Sequence, residues 1–159
     1  LMSQLADEFA KYFDTSKITV VLTAEASGIA LATICAQKYG VPMLFAKKAK
    51  SDNIESGLYQ SEVFSYTYKK KVTLLVSQEW LNADDHVLII DDFMANGFAV
   101  QGLVDIVNEA GAKLEGIGIA VEKGFQGGGD RFRASGIPYK ALAVIEKADE
   151  NGFVFREEN

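Results

Sequence analysis

The sequence predicts an α/β protein built on a mostly parallel central sheet with helices on both faces. Short runs of apolar, β-branched residues, typical of buried strands, alternate along the chain with segments whose apolar residues recur at helical spacing. A strand–helix–strand unit such as the one at residues 18–46 is almost always a right-handed crossover between parallel strands. A polar segment at residues 47–71 interrupts this alternation. Its β-rich part, from residue 58, and residues 72–76 predict the two arms of an inserted β-hairpin.

Each element is predicted from a local pattern of apolar residues. In the opening helix Met2, Leu5 and Phe9 recur at helical spacing. The predicted helices are residues 2–13, 29–39, 99–110 and 130–135. The predicted strands are residues 18–22, 42–46, 86–90, 114–121 and 141–145, and the hairpin has one arm from residue 58 and the other at residues 72–76. Gly40 and Gly111 follow two of the helices, where a left-handed residue closes the last turn.

Length and composition favour one domain over residues 1–159. Apolar residues make up 48% and charged residues 24% of the chain, which is typical of a soluble globular protein. The net charge of −6 argues against nucleic-acid binding, which needs a basic surface. No apolar run reaches the roughly 18 residues that cross a bilayer. The single cysteine, Cys35, suits a reducing cytoplasm.

The ends of the predicted strands are the places to search for a ligand site, because open α/β sheets bind ligands beyond the carboxyl ends of their strands. The strand at residues 86–90 runs directly into two carboxylates, Asp91 and Asp92. Carboxylates are costly to bury without partners, so a wet cleft is expected at this edge. There they can accept hydrogen bonds from sugar hydroxyls or help to hold a hydrated Mg²⁺. A solvated turn that merely ends the strand is the alternative.

The loop after the two acids permits close approach of a ligand. Ala95, Asn96 and Gly97 carry little bulk, and Gly97 allows a positive φ. Because a helix is predicted to begin at once, several backbone N–H groups and the positive end of the helix dipole converge there. A phosphate site next to hydroxyl-binding carboxylates describes a ribose 5-phosphate ligand. An ordinary turn capped by Asn96 would have a similar sequence.

The segment VLIIDDFMANG, residues 87–97, resembles the phosphoribosyl-diphosphate motif of the type I phosphoribosyltransferases. Its ANG ending is similar to that of the bacterial xanthine phosphoribosyltransferases. The resemblance extends over nearly the whole chain, through EASGIA, LFAKK, FSYT and GIGIAVEKGFQGG in the family's order. It implies the type I phosphoribosyltransferase fold, with a flexible loop inserted at the hairpin.

The resemblance also implies roles for individual residues. Asp91 and Asp92 would take the ribose hydroxyls, and Lys123 would donate to the 6-oxo group of a purine. A cation there would repel the amino group of adenine. A surface lysine paired with Glu122, with Asp130 or with nothing is the alternative for Lys123. The residues that match the family's 5-phosphate loop are Ala95, Asn96, Gly97, Phe98 and Ala99.

Other segments match less specific parts of the family pattern. Residues 26–28 (ASG) match the pyrophosphate loop, and Lys48 matches a basic residue that neutralises the pyrophosphate. Residues 49–70 match a mobile loop that closes over the site and excludes water. Phe125 is expected either to stack on the purine or to belong to the core.

Two features depart from the family pattern. Close relatives usually carry glutamine at the position of Phe98, so any side-chain contact made by that glutamine is lost. The family also has an N-terminal segment that helps to cover the purine. Because the sequence begins at Leu1, already within a helical pattern, we expect that segment to lie upstream of Leu1.

The resemblance therefore implies a transferase of purine salvage. It would join N9 of xanthine to C1 of 5-phosphoribosyl 1-diphosphate in the presence of Mg²⁺, giving xanthosine 5′-phosphate and pyrophosphate. A cytoplasmic homodimer is expected. Transfer to guanine or hypoxanthine is the nearest alternative, and a regulator that senses the activated sugar without turnover is another. A serine or cysteine hydrolase is disfavoured, because the only histidine, His86, begins a strand at the opposite edge of the sheet.

Overall fold

The computed structural model describes residues 1–49, 56–65, 70–150 and 152–157. In this part of the chain the helices are α1 Met2–Tyr12, α2 Gly28–Tyr39, α3 Phe98–Glu109 and α4 Gly128–Ala134, with 3-10 helices at Thr15–Lys17 and Gly124–Gln126. The strands are β1 Val20–Ala24, β2 Met43–Ala49, β3 Leu58–Ser65, β4 Lys70–Ser77, β5 His86–Met94, β6 Lys113–Lys123, β7 Tyr139–Asp149 and β8 Gly152–Phe155.

The strands form one sheet in the order β3-β4-β2-β1-β5-β6-β7-β8. Its five central strands, β2, β1, β5, β6 and β7, are parallel to one another. The chain passes from β1 to β2 on one side and later enters β5 on the other side of β1. The order of the strands therefore reverses between β1 and β5, and a crevice for a ligand opens at the carboxyl ends of these two strands.

Helices cover both faces of the parallel strands, so their apolar runs are buried on both sides. From β5, Leu88 and Ile90 pack in the cluster formed with α1 and α2, whereas Val87 and Ile89 pack in the cluster formed with α3. All four side chains are fully buried. The continuous apolar run before the two acids is thus explained by a strand that contributes to two cores.

The hairpin of β3 and β4 joins the sheet through an antiparallel pairing of β4 with β2. Helix α3 lies close against it, because a Cβ on Gly102 would come within 2.5 Å of a methyl group of Val63. Ser61 also donates a hydrogen bond of 3.1 Å to the carboxylate of Asp105 on α3. The hairpin therefore packs along α3, and its residues Val63 and Phe64 reach the edge of the ligand crevice.

The sequence-based prediction of an α/β fold with an inserted hairpin is confirmed, but several boundaries were wrong. Strand β5 continues to Met94, so Asp91 and Asp92 lie within the strand and not beyond it. The helix predicted at residues 130–135 begins earlier, at Gly128, and strand β8 was not predicted. Within the expected mobile loop, residues 50–55 and 66–69 lie outside the described residues. No helix among the described residues is long and apolar enough to cross a membrane.

Candidate functional site

The two carboxylates after the apolar run of β5 have different surroundings. Asp91 is buried, with 8% of its surface exposed, whereas Asp92 is half-buried. Burial raises the pKa of Asp91 to about 8, and repulsion from Asp92 adds to this shift. A carboxylate oxygen of Asp91 accepts a hydrogen bond of 2.9 Å from the backbone N–H of Asp92. The pair therefore presents one outward carboxylate and one inner carboxyl group that is held close to the backbone.

The loop after β1 packs directly against this pair. The hydroxyl of Ser27 donates a hydrogen bond of 2.9 Å to Asp92. A Cβ on Gly28 would come within 2.4 Å of a carboxylate oxygen of Asp91 and within 2.3 Å of the hydroxyl of Thr23, so only glycine fits there. Glu25, at the start of the same loop, accepts a hydrogen bond of 2.6 Å from the backbone N–H of Lys48 on β2. The ends of β1, β2 and β5 are thereby joined.

The loop between β5 and α3 has the backbone expected of an anion site. Gly97 has a φ of 76° and is the N-cap of α3, and its carbonyl accepts the first intrahelical hydrogen bond, from Gln101 at 2.9 Å. The N–H groups of the first helical turn have no acceptor within the helix. Because Gly97 is the N-cap, the alternative of an ordinary turn capped by Asn96 does not describe this loop.

A cavity of about 230 Å³ lies where these elements meet. It is bordered by the loop between β5 and α3, by Asp91 and Phe93 of β5, by Lys48 of β2, and by Val63 and Phe64 of the hairpin. Most of the residues predicted from the sequence for the sugar and its phosphates therefore line one space. The cavity residues contributed by the loop and the start of α3 are Ala95, Asn96, Gly97, Phe98, Ala99 and Val100.

Lys123 ends β6, the strand that pairs with β5. Its ammonium nitrogen lies 5.0 Å from the centre of the Phe93 ring, so neither Glu122 nor Asp130 is its partner among the contacts described. Phe93 is 41% exposed and borders the cavity. Phe125 is 51% exposed, which excludes the expectation that it belongs to the core.

Glu122 belongs to a buried polar cluster that the sequence did not predict. Its side chain is fully buried and forms two hydrogen bonds with Arg133, of 3.0 and 2.6 Å. Tyr139 donates a third hydrogen bond to it, of 2.8 Å. A buried carboxylate needs such partners, and this one ties α4 to β6 directly beside Lys123. The helical segment that places Arg133 was too short and too rich in glycine to indicate this contact.

Comparison with known proteins agrees with this geometry. Residues 2–148 match the model of the phosphoribosyl transferase domain. The chain belongs to the phosphoribosyltransferase family. It is 51% identical over 157 residues to the xanthine phosphoribosyltransferase of Ruminiclostridium cellulolyticum, covering 99% of this chain and 83% of that protein. It is 48% identical to the xanthine phosphoribosyltransferase of Lachnoclostridium phytofermentans over 98% of this chain and 81% of that protein.

Solved structures of the family share the fold. The adenine phosphoribosyltransferase of Giardia lamblia, complexed with 9-deazaadenine, superposes with a TM-score of 0.78 at 22% identity, covering 92% of this chain and 80% of that one. The adenine phosphoribosyltransferase of Trypanosoma brucei, in complex with AMP, pyrophosphate and ribose-5-phosphate, gives a TM-score of 0.75 at 25% identity, covering 95% of this chain and 68% of that one. The predictions of the family and of the type I phosphoribosyltransferase fold are confirmed.

Sequence reasoning missed Phe93 as a site residue, although it directly follows the two acids. The strand was expected to end at Ile90, which placed Phe93 in a loop. The position of a loop side chain relative to Lys123 cannot be inferred from strand pairing. A strand predicted through Met94 would have placed Phe93 opposite the carboxyl end of β6, since Phe93 pairs with Val121 in the register of the two strands.

Proposed function

We propose that this protein transfers the 5-phosphoribosyl group of 5-phosphoribosyl 1-diphosphate to N9 of xanthine, giving xanthosine 5′-phosphate and pyrophosphate. The observation that carries the proposal is the position of the acid pair and the loop at residues 95–99, both at the strand-order reversal between β5 and β1. The names of the relatives at about half identity support xanthine as the purine.

In this proposal the sugar and its 5-phosphate are held by β5 and the start of α3. The N–H groups at residues 97–99 and the positive end of the helix dipole bind the 5-phosphate. Asp91 and Asp92 accept hydrogen bonds from the ribose hydroxyls. Backbone groups of residues 26–28 and the ammonium group of Lys48 face the departing pyrophosphate, since Glu25 brings that loop and β2 together.

Lys123 selects the purine in this proposal. Its ammonium group donates to the 6-oxo oxygen, a position where adenine carries an amino donor. Phe93 offers an exposed aromatic face under the same ammonium group, and Phe125 offers a second exposed ring at the end of β6. Guanine and hypoxanthine share the 6-oxo group, so their transfer is the nearest alternative.

The chain's residues fit a Mg²⁺ ion that arrives with the diphosphate substrate. The described residues contain no group of three or more His, Cys, Asp or Glu side chains that could hold a metal by themselves. Asp91 and Asp92 supply two carboxyl groups at the crevice, which suits an ion held largely by phosphate oxygens and water. When bound, the ion would neutralise charge on the leaving pyrophosphate.

The geometry suits catalysis by positioning. Transfer at C1 passes through a transition state with positive charge on the sugar. In this proposal the two carboxyl groups face the sugar, and cationic and N–H groups face the phosphates. No covalent intermediate with the protein is needed. Exclusion of water protects the activated sugar from hydrolysis, and we assign this role to residues 49–70.

The direct test incubates the protein with 5-phosphoribosyl 1-diphosphate, Mg²⁺ and each of xanthine, guanine, hypoxanthine and adenine, and follows pyrophosphate release and nucleotide formation. We expect the highest kcat/KM with xanthine and the lowest with adenine. A higher kcat/KM with guanine than with xanthine would contradict the proposed substrate and support the guanine alternative. Tight binding of the activated sugar without turnover of any purine would favour the sensing regulator.

We also propose that the protein is a cytoplasmic homodimer. An apolar surface of the hairpin and β2, with a cavity of about 450 Å³, is bordered by Phe45, Leu58, Leu75 and Trp80. Phe45 and Trp80 are both exposed in the single chain, and exposed apolar patches of this kind mark contacts between proteins. Light scattering of the wild type and of Trp80→Ser tests the dimer: the variant is expected to dissociate at concentrations where the wild type does not.

A further inference from the structure

Arg131, on helix α4, reaches the loop to which the proposed function assigns the 5-phosphate. Its guanidinium group donates a hydrogen bond of 2.7 Å to the backbone carbonyl of Asn96. The same group lies 5.4 Å from the centre of the Phe98 ring, a distance at which a cation and an aromatic face attract each other. One side chain thus contacts two successive parts of the loop, its backbone and its aromatic residue.

The backbone of α4 lies unusually close to the same loop. A Cβ on Gly128 would come within 2.5 Å of the carbonyl oxygen of Ala95 and within 2.8 Å of the backbone nitrogen of Gly97. A Cβ on Gly97 would in turn come within 3.0 Å of the Phe132 ring. The loop and the helix therefore have no room to shift independently.

Helix α4 is itself held in place by the buried cluster around Glu122. Arg133 makes two hydrogen bonds with that carboxylate, and a Cβ on Gly129 would overlap it. Because the base of the helix is fixed to β6, the guanidinium group of Arg131 is presented to the loop from a rigid support. This is the arrangement needed to hold a binding loop in one conformation.

The bond to Asn96 has a consequence for the neighbouring N–H group. The peptide between Asn96 and Gly97 is planar, so a carbonyl that points towards Arg131 directs the N–H of Gly97 to the opposite side. No residue of α4 borders the cavity of about 230 Å³, whereas Asn96, Gly97 and Phe98 all do. The N–H of Gly97 is thus directed away from α4.

We propose that Arg131 is a positioning residue for the 5-phosphate, and that Phe98 is its partner in this role. The proposal rests on the proposed function, and it names how this chain orients the loop at residues 95–99. Arg131 holds the carbonyl of Asn96 and stacks on Phe98, so that the N–H groups face the phosphate before it binds. Phe98 stands where the family pattern usually has glutamine. The guanidinium group of Arg131, which lies over its ring, explains an aromatic residue at this position.

The experiment compares Arg131→Gln, Arg131→Lys and Phe98→Leu with the wild type. The KM for 5-phosphoribosyl 1-diphosphate is expected to rise about tenfold in Arg131→Gln and about threefold in Phe98→Leu, with kcat and the KM for xanthine unchanged within about twofold. The KM of Arg131→Lys is expected to lie between those of the wild type and Arg131→Gln. Lysine keeps the positive charge but lacks the planar guanidinium group that donates to Asn96 and covers Phe98. The double variant is expected to match Arg131→Gln, because both changes remove one contact.

Two controls separate positioning from general effects. Lys147→Gln removes one exposed positive charge from β7, where the lysine pairs with Asp149, and is expected to leave KM unchanged. Urea unfolding of each variant reports stability, and calorimetric titration with ribose 5-phosphate reports binding without turnover. A wild-type KM and a wild-type ribose 5-phosphate affinity in Arg131→Gln would overturn the proposal.

The remaining outcomes are also decisive. If the effects of Arg131→Gln and Phe98→Leu multiply in the double variant, Phe98 does not act through Arg131 and the paired assignment is overturned. If Arg131→Lys equals the wild type, charge alone accounts for the effect and the positioning role is overturned. If the wild type turns over no purine but ribose 5-phosphate binds more weakly to Arg131→Gln, the proposed function fails while the positioning role stands.

Discussion

The proposed site has two parts, which obtain their groups in different ways. The phosphoribosyl part consists of residues 25–28, the acid pair and residues 95–99, which follow each other at the ends of β1 and β5 and act largely through backbone groups. The purine part consists of Lys123, Phe93 and Phe125, which come from two strands and a 3-10 helix and act through side chains. The sequence motivates the first part almost residue by residue. For the second part it named Lys123, left Phe125 between a purine contact and the core, and gave no indication of Phe93.

The difference shows what a sequence motif can record. A phosphate loop needs small residues at consecutive positions, so a short sequence motif is enough to indicate it. A purine site needs an aromatic face and a donor at a fixed distance, and any strand that passes nearby can supply either. The contact between Lys123 and Phe93 exists because β5 and β6 are neighbours in register, which no local pattern states.

The largest effect is expected from the acid pair of the phosphoribosyl part. Replacing Asp91 and Asp92 together by Asn should lower kcat/KM roughly a thousandfold, because the ribose hydroxyls exchange carboxyl acceptors for weaker amide acceptors and the cation that accompanies the diphosphate loses the negative charge of Asp92. Urea unfolding should show that the chain still folds. The matched control is Asp84→Asn, an exposed acid in the turn before β5, which should keep wild-type activity. Retained activity in the double variant would refute the assigned role.

Lys123→Met tests whether the two parts act separately. Methionine keeps an apolar contact with Phe93 but cannot donate to the purine, so kcat/KM for xanthine should fall on the order of fiftyfold. The KM for 5-phosphoribosyl 1-diphosphate should stay the same, since the ends of β1 and β5 are unchanged. Steady-state kinetics with each substrate varied in turn measures both values. An equal rise in both KM values would show that the parts are not separable.

Gly128→Ala tests whether the phosphoribosyl part depends on α4. The new methyl group would meet the carbonyl oxygen of Ala95, so the loop must move and kcat/KM should fall roughly tenfold. The control is Gly40→Ala, which is strained at a φ of 71° but has open space around it, far from the site. This control should lose about 1 kcal/mol of stability without loss of kcat/KM. Equal activity losses in the two variants would point to destabilisation alone.

The last prediction concerns the free energy of unfolding and its dependence on pH. The pKa of Asp91 is about 8 in the folded protein and about 4 in an unfolded chain. The folded state therefore binds the extra proton between these values, and stability due to this group is complete below pH 4 and is lost as the pH rises towards 8. Asp91→Asn removes this dependence. The free energy of unfolding of the variant, relative to that of the wild type, should therefore rise by a few kcal/mol between pH 4 and pH 8. Urea titrations from pH 4 to 9 measure the difference; parallel curves would contradict the buried, protonated state.

The elements could largely be predicted, because their apolar periodicity is local. The parallel unit of β1, α2 and β2 and the glycine that closes α2 were predicted from the sequence and are present, with Gly40 left-handed at the helix end. The ends of strands were less predictable. Asp91 stays in β5 because the neighbouring strand β6 continues beside it, and pairing with Ile119 outweighs the low strand preference of a carboxylate.

The tertiary contacts of the site could not be predicted. Nothing local indicates that Glu122 is fully buried against Arg133 and Tyr139, or that Arg131 reaches Asn96 and Phe98. These partners are far apart along the chain, and exposed charges of the same types are common in any soluble protein. Their meaning depends on α4 lying against the loop at residues 95–99.

The sequence by itself determined the fold class and the family, and it motivated the proposal for the phosphoribosyl part, because strands, helix ends and a phosphate loop each depend on residues that are neighbours in the chain. Only the tertiary structure showed which side chains lie around Lys123 and which contact the loop at residues 95–99. The burial of Asp91, the ring beneath Lys123 and the contact of Arg131 with Phe98 arise where elements distant in sequence meet. Packing at such meeting points is a property of the whole sheet and its helices, and no short segment encodes it.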